Sequence, residues 1–230
     1  MTLTALPRAL LFDLDGTLAH TLPQLGRAAN EVLRQLGREP LAAERYADFV
    51  GDGVSMLLAR ALGGSRDSTP EDVGGNLMAQ ARELFNAAYA AGLDRDFMVY
   101  DGVEEGLGYF RSRGILLMVL TNKAHRFVEP LLGFMGLSEY FDDVLGSEVI
   151  AQRKPAAEPM LHLLARHALA AHDCAMVGDS LNDHGCARSC GACSILMNYG
   201  YHGDADLSAC GADHLFGNFR ELTALIRSLP

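Results

Sequence analysis

Short, unbroken apolar runs that stop abruptly at acidic or hydroxyl residues constrain this chain more than any other feature. Ala9-Leu10-Leu11-Phe12 runs into Asp13-Leu14-Asp15-Gly16-Thr17, Ile115 to Leu120 into Thr121-Asn122-Lys123, and Ala175-Met176-Val177 into Gly178-Asp179-Ser180. Runs without polar alternation suit strands buried on both faces, which are usually parallel strands joined by helical crossovers. In such sheets the ligand crevice lies just past the carboxyl ends of the strands. Three strand ends that collect Asp, Thr and Lys are therefore a candidate site.

Between the first two strand ends lie about a hundred residues, too many for one crossover. The pattern there predicts helices only. One opens at Thr21-Pro23, with Leu25, Ala29, Val32, Leu33 and Leu36 at helical spacing and Gly37 after it. Two shorter helices are expected over 42–50 and 54–62, and a longer one over 70–91 whose first turn is weakened by Gly74-Gly75. Beyond Asp101, read as a helix N-cap, helices and strands alternate to the end. The expected fold is α/β: a doubly wound, mainly parallel, Rossmann-like sheet core with an inserted all-helical cap domain. Residues 1–17 and 98–230 would form the core and 18–97 the cap.

Composition narrows the partners. With 19 Lys+Arg against 29 Asp+Glu the formal charge is −10, which disfavours nucleic acid but permits a small phosphorylated metabolite held at one cationic spot. Hydrophobic content of 49% with 21% charged residues is that of a globular protein with a real core. No apolar run approaches the roughly 18–20 residues that span a bilayer, and Asp13 and Asp15 interrupt any leader-like segment. Five cysteines, an odd number crowded into the last third, argue against a disulfide framework; a cytoplasmic protein with reduced thiols is expected, as monomer or homodimer. His184, Cys186, Cys190 and Cys193 invite a zinc reading. No second Cys-x-x-Cys pair accompanies them, and Cys on a helix serves as a small hydrophobe.

Asp13 and Asp15, two apart at the mouth of a strand, can both reach one ion, one by its side chain and the other by its carbonyl. Such close carboxylates repel unless a cation or shared proton separates them, and oxygen ligands without histidine favour Mg²⁺. Taken alone, the pair is equally a turn with a cap. Thr121 and Asn122 offer a hydroxyl and backbone N–H groups suited to a phosphoryl oxygen. Lys154-Pro155 places a cation before a helix, unless it is simply a solvated lysine. Asp179 and Asp183 sit at a strand–helix junction, where first-turn acids also favour the helix dipole. Occurring together and in order, these features outweigh their separate bland explanations.

Phe12-Asp13-Leu14-Asp15-Gly16-Thr17-Leu18, Thr121-Asn122-Lys123, Lys154-Pro155 and Val177-Gly178-Asp179-Ser180-Leu181-Asn182-Asp183 resemble the four motifs of the haloacid dehalogenase-like superfamily. The helical insert is similar to that superfamily's cap. Val50-Gly51-Asp52-Gly53-Val54 with Leu57-Leu58, and Met197-Asn198-Tyr199-Gly200, resemble the phosphoglycolate phosphatase branch.

The resemblance implies that Asp13 attacks phosphorus and Asp15 serves as general acid and then base. It implies Mg²⁺ held by Asp13, the Asp15 carbonyl and Asp179, with Thr121, Asn122 and Lys154 on the phosphoryl oxygens. Asp183 would orient the metal shell or Lys154, Thr17 would shape the first loop, and Gly51-Asp52-Gly53 would form the cap's substrate contact unless it is a plain helix–helix turn. The implied function is hydrolysis of a small phosphomonoester, best matched by 2-phosphoglycolate. Asp15 separates this reading from the dehalogenases and P-type ATPases, whose second position lacks the carboxylate. A phosphomutase of the β-phosphoglucomutase type and, in another class, a non-enzymatic phospho-acceptor switch are the rivals. Two residues depart from the pattern: His20 replaces the usual Asp after the first motif, and Ala157 replaces the second proline after Lys154-Pro155.

Overall fold

The computed structural model describes residues 3–230. The chain opens with β1 (Ala9–Phe12) and β2 (Ala19–His20), followed by α1 (Leu22–Gln35), α2 (Val54–Gly63), α3 (Pro70–Val73) and α4 (Gly75–Ala90). Next come β3 (Met98–Val99), α5 (Val103–Ser112), β4 (Leu116–Ala124), α6 (Val128–Phe134), β5 (Asp143–Ser147) and α7 (Glu158–Arg166). The closing elements are β6 (Cys174–Gly178), α8 (Leu181–Cys190), β7 (Cys193–Met197), β8 (His214–Phe216) and α9 (Phe219–Ser228).

Six strands form one sheet in the order β5-β4-β1-β6-β7-β8, every neighbouring pair parallel. The chain leaves β1 for β4 on one side and returns to β6 on the other, so the order reverses at β1. A crevice opens at such a point.

The apolar strands are explained by packing on both faces. Leu10, Phe12, Leu117, Val119, Ala175 and Val177 face one cluster with Phe110 and Phe219 from α5 and α9. Ala9, Leu11, Met118, Leu120 and Met176 face the other, with Met160, Leu163 and Cys186 from α7 and α8. Cys186 is thus a core hydrophobe, and His184 shares a 3.0 Å hydrogen bond with Ser194 Oγ.

Four local details differ from the sequence expectation, the first being that the helix expected over 42–50 is a 3-10 helix over Ala43–Asp48. A two-stranded antiparallel pair, Ala19↔Val99 and His20↔Met98, stands at the root of the insert where only helices were expected; two residues per strand are too few to show alternation. The helix expected over 70–91 is split by Gly74, whose φ of 91° no helix accommodates. The N-cap of α5 is Gly102, not Asp101, whose carboxylate is drawn instead to Arg220 Nε and Nη2 at 3.0 Å each. No helix among the described residues is long and apolar enough to cross a membrane.

Candidate active site

Asp13 follows directly on β1, its backbone N–H bonded 2.9 Å to Val177 O of β6. That bond fixes the start of the first loop against the strand leading to Asp179. Gly16 then turns the loop at φ 89°, and a Cβ there would overlap Asp179 Oδ2. Glycine is required twice over, by conformation and by contact. Thr17 Oγ1 donates to Asp179 Oδ1 at 2.6 Å, and the Tyr201 backbone N–H donates to Oδ2 at 2.6 Å. Asp179 is therefore held by the first loop on one side and the segment after β7 on the other.

Lys154 is 2% exposed, an expensive place for an ammonium unless it is fully paired. Its Nζ donates to Leu120 O at 2.6 Å and Asp183 Oδ1 at 2.7 Å, and lies 3.1 Å from Asp13 Oδ1. Asp183 is the N3 residue of a capping box at the start of α8, its Oδ2 accepting from Ser180 N and Oγ and from Asp179 N. With both oxygens occupied, Asp183 positions Lys154 and the Asp179 backbone.

Asp13, Asp179 and Asp183 each present an oxygen within 4.8 Å of the others. Asp13 Oδ1 is buried without a hydrogen bond among the described residues. Burial raises the Asp13 carboxyl from 3.8 to about 6, Lys154 opposing the rise while Asp183 and Asp15 add to it. Burial, together with Asp13 and Asp183, pushes the Asp179 carboxyl well above its ordinary value. A trio of crowded carboxylates with an orphaned oxygen and a single nearby ammonium fits a divalent cation with oxygen ligands.

Asp15 points elsewhere. Its Oδ1 accepts from Thr21 Oγ1 at 2.6 Å, and both oxygens accept from Lys123 Nζ. Burial acts to discharge Lys123, but Asp15 and Tyr89 more than offset it and hold the ammonium charged. The Tyr89 ring of α4 lies 4.7 Å from Nζ. Thr121 Oγ1 accepts from the Lys123 N–H at 3.2 Å and lies close enough to Asp13 to lower its pKa.

The Asn122 side chain has a task not expected of it. It donates to Gly51 O and Lys154 O and accepts from the Lys154 N–H, each at 3.1 Å, tying the lysine loop to the insert. Asn182 Nδ2 likewise donates to Gly51 O at 3.2 Å and Asp52 Oδ1 at 2.8 Å. Gly51 and Gly53 line the cavity over Asp13 with Thr121, Asn122 and Lys123; Asp52 does not line it, being turned to Arg60 and Asn182. The cavity, of about 60 Å³, has room for a few water-sized groups.

The structure thus gathers Asp13, Asp15, Thr17, Thr121, Asn122, Lys154, Asp179 and Asp183 around one cleft. Lys123, Thr21, Asn182, Tyr201 and Asn86 join them without having been singled out. Lys123 and Asn182 carried a sequence signal, as members of the Thr121 and Asp179 motifs. Tyr201 meets the site through contacts distant in sequence, and Thr21 through Asp15, six residues before it.

Residues 10–197 match the family described as haloacid dehalogenase-like hydrolase. A phosphoglycolate phosphatase of Nitrosospira multiformis is 37% identical over 220 residues, covering 96% of each chain. One of Chromobacterium violaceum is 37% identical over 221 residues, covering 96% of this chain and 97% of its own. Among solved structures, a predicted phosphoglycolate phosphatase from Haemophilus somnus superposes with a TM-score of 0.87 at 26% identity, covering 95% of this chain and 97% of its own. CbbY from Rhodobacter sphaeroides, in complex with phosphate, superposes at 0.79 with 26% identity, covering 94% and 96%.

Proposed function

The chain belongs to the haloacid dehalogenase-like hydrolases, and from that premise we propose that it hydrolyses 2-phosphoglycolate to glycolate and phosphate with Mg²⁺ as its metal. The observation that carries the proposal is Asp13. Its Oδ1 is buried, unbonded and 3.1 Å from a buried ammonium, on a cavity floor shared with Asp179. Near relatives named phosphoglycolate phosphatase support the choice of substrate, as does the small cavity.

In this reading an Asp13 oxygen attacks phosphorus while the ester P–O bond breaks, giving an aspartyl-phosphate and an alkoxide. Asp15 supplies the proton that the alkoxide takes up. It then accepts one from the water that attacks phosphorus, which releases phosphate and restores Asp13. Lys154, Thr121 and the Asn122 backbone N–H hold the phosphoryl oxygens, where positioned charge does most of the work. Asp13, Asp179 and the Asp15 carbonyl would hold Mg²⁺, which supplies charge neutralisation beside the phosphate. Asp183, already saturated by Lys154 and three donors, orients rather than ligates, and Thr17 fixes Asp179. Segment 18–97 acts as the cap, with Gly51 and Gly53 over the substrate. A cytoplasmic setting belongs to the same reading, supported by five cysteines that are all free thiols.

Phosphate release from a panel of small phosphoesters, with and without exhaustive chelation, tests this. The expected result is preference for 2-phosphoglycolate, activity abolished by EDTA and restored by Mg²⁺. Full activity after chelation, or a different preferred ester, would overturn the corresponding part.

A further inference from the structure

We propose that Asn86 of the insert selects the leaving group, and that the leaving group therefore ends in a polar group, a carboxylate or a hydroxyl, on a body of few carbons. This rests on the phosphatase reading and adds a residue to it.

The cavity has two unlike walls. Its floor is the charged cluster of the sheet; its roof is apolar, formed by Leu25, Val54, Leu57, Phe85 and Phe127. Two polar side chains of α4 interrupt that roof, Asn86 and Tyr89. The Tyr89 hydroxyl is committed, donating 2.5 Å to Gln24 Oε1. The cation on the same side, Lys123, is committed to Asp15. Asn86 is not committed: its Oδ1 is buried and has no hydrogen-bond partner among the described residues.

An unpaired buried acceptor destabilises a fold, and leucine, of similar size, would seal this roof without that penalty. The position of α4 keeps the amide where it is. Phe85 and Tyr89 stack at 5.5 Å between ring centres, and Tyr89 meets Phe127 edge-on at 5.1 Å. With the phosphoryl group on the floor at Lys154 and Thr121, the ester's other end is directed to the roof. There an amide offers an acceptor to a hydroxyl or, turned about its terminal torsion, donors to a carboxylate.

The test measures kcat/KM of the wild-type enzyme, Asn86→Leu and Asn86→Asp with 2-phosphoglycolate, 2-hydroxyethyl phosphate and ethyl phosphate. Wild type should prefer a polar-ended ester over ethyl phosphate by about tenfold or more, a discrimination within the range of one hydrogen-bonding contact. Asn86→Leu should reduce that ratio about tenfold. Asn86→Asp separates the two termini: it repels a carboxylate, cutting the 2-phosphoglycolate ratio, but still accepts from a hydroxyl. Should the leucine variant fail to fold, the aspartate variant carries the comparison, since a ratio unchanged for both polar esters overturns the proposal. A ratio retained in a folded Asn86→Leu overturns the role of Asn86 and leaves the phosphatase reading standing. Equal rates on all three esters in wild type overturn the inference and the substrate but not the phosphatase. Phosphate released from none of them overturns both.

Discussion

Lys123 Nζ lies 2.9 and 2.8 Å from the two carboxylate oxygens of Asp15, a pairing made across 108 residues of sequence. The lysine belongs to β4, yet it rests against the Tyr89 ring of α4. Thr21, just before α1, holds the same carboxylate at 2.6 Å. The group proposed to move the proton is thus gripped by the sheet and by the start of the insert together. Insert placement and acid orientation are coupled through one buried ammonium.

Lys123→Met tests that coupling. It removes the charge, keeps most of the length, and leaves Asp15 with Thr21 alone. Turnover of an alkyl ester should fall roughly 10–100-fold, because an ill-placed acid forfeits part of the 10²–10⁴ that general acid catalysis contributes. A nitrophenyl ester, whose leaving group needs no proton, should lose much less. Equal losses on both esters, with the folded state verified by circular dichroism, would mean that Lys123 acts on something other than the acid.

Asp13→Asn should abolish turnover by several orders of magnitude and also stabilise the metal-free protein. A folded value near 6 against an ordinary 3.8 means that the folded chain binds more protons than the unfolded one between those limits. The group's contribution therefore worsens as pH rises from about 4 to about 6 and stays unfavourable above, by about 3 kcal/mol at most. In EDTA the variant should melt several degrees above wild type at pH 7 and close to it near pH 4. Added Mg²⁺ should narrow the difference, since it stabilises the protein that keeps its ligand. A wild type that melts higher at pH 7 in EDTA would contradict the burial argument.

What the sequence disclosed follows from how local each signal was. Asp13 and Asp179 stand beside apolar runs that a sheet buried on both faces requires, so both strand and strand end were legible. Lys154 was legible only as a motif, because its burial between Asp13 and Asp183 depends on three separate loops. The Lys123–Asp15 pair, the Tyr201 contacts and the empty acceptor of Asn86 leave no trace in spacing or periodicity. Each is made by residues from distant elements, and none imposes a local conformation. The same holds for Asp101: by type it is a good cap, but Arg220, 119 residues away, competes for its carboxylate.

Tyr201 links two parts of the site by different atoms, and Tyr201→Phe separates them. Its backbone N–H donates to Asp179, while its hydroxyl accepts from Thr21 N at 2.8 Å and Leu22 N at 3.1 Å. The hydroxyl also lies 2.7 Å from His20 Nδ1, and burial keeps that imidazole below its ordinary pKa. With His20 neutral, the phenol donates to it and takes two amides at the start of α1, so the histidine found in place of the usual Asp has a partner. Phenylalanine would leave these groups unpaired, at about 1–3 kcal/mol. Thermal melting should register that loss, whereas Mg²⁺ affinity should hold, because the amide on Asp179 remains. A large fall in Mg²⁺ affinity would show that the hydroxyl, and not the amide, keeps Asp179 in place.

Gly51 and Gly53 differ in what an added methyl group would meet, which makes them a paired test of the insert's contact with the site. Both have positive φ, 107° and 83°, so alanine strains either position. A Cβ on Gly51 meets nothing within 4 Å; on Gly53 it would sit 3.4 Å from Asn122 O and 3.5 Å from Arg153 Nη1. Gly53 also has ψ 169° as the N-cap of α2, a region held almost only by glycine, so its alanine variant should lose about 1–3 kcal/mol. Gly51→Ala controls for positive-φ backbone strain at a position where the added Cβ touches nothing. Melting temperatures should fall for both variants, while the ratio of 2-phosphoglycolate to p-nitrophenyl phosphate turnover should fall several-fold for Gly53→Ala alone. The Gly53 methyl group reaches only ordinary contact with Asn122 O, so the loss comes from the strained backbone shifting the turn against Asn122. The Asn122 side chain ties the Lys154 loop to Gly51, and a misplaced loop costs most where the insert closes over a small ester. Equal ratios in the two variants would reduce the Gly51–Gly53 turn to a connector between helices, leaving Asn122 and Asn182 as the contacts that seat it on the core.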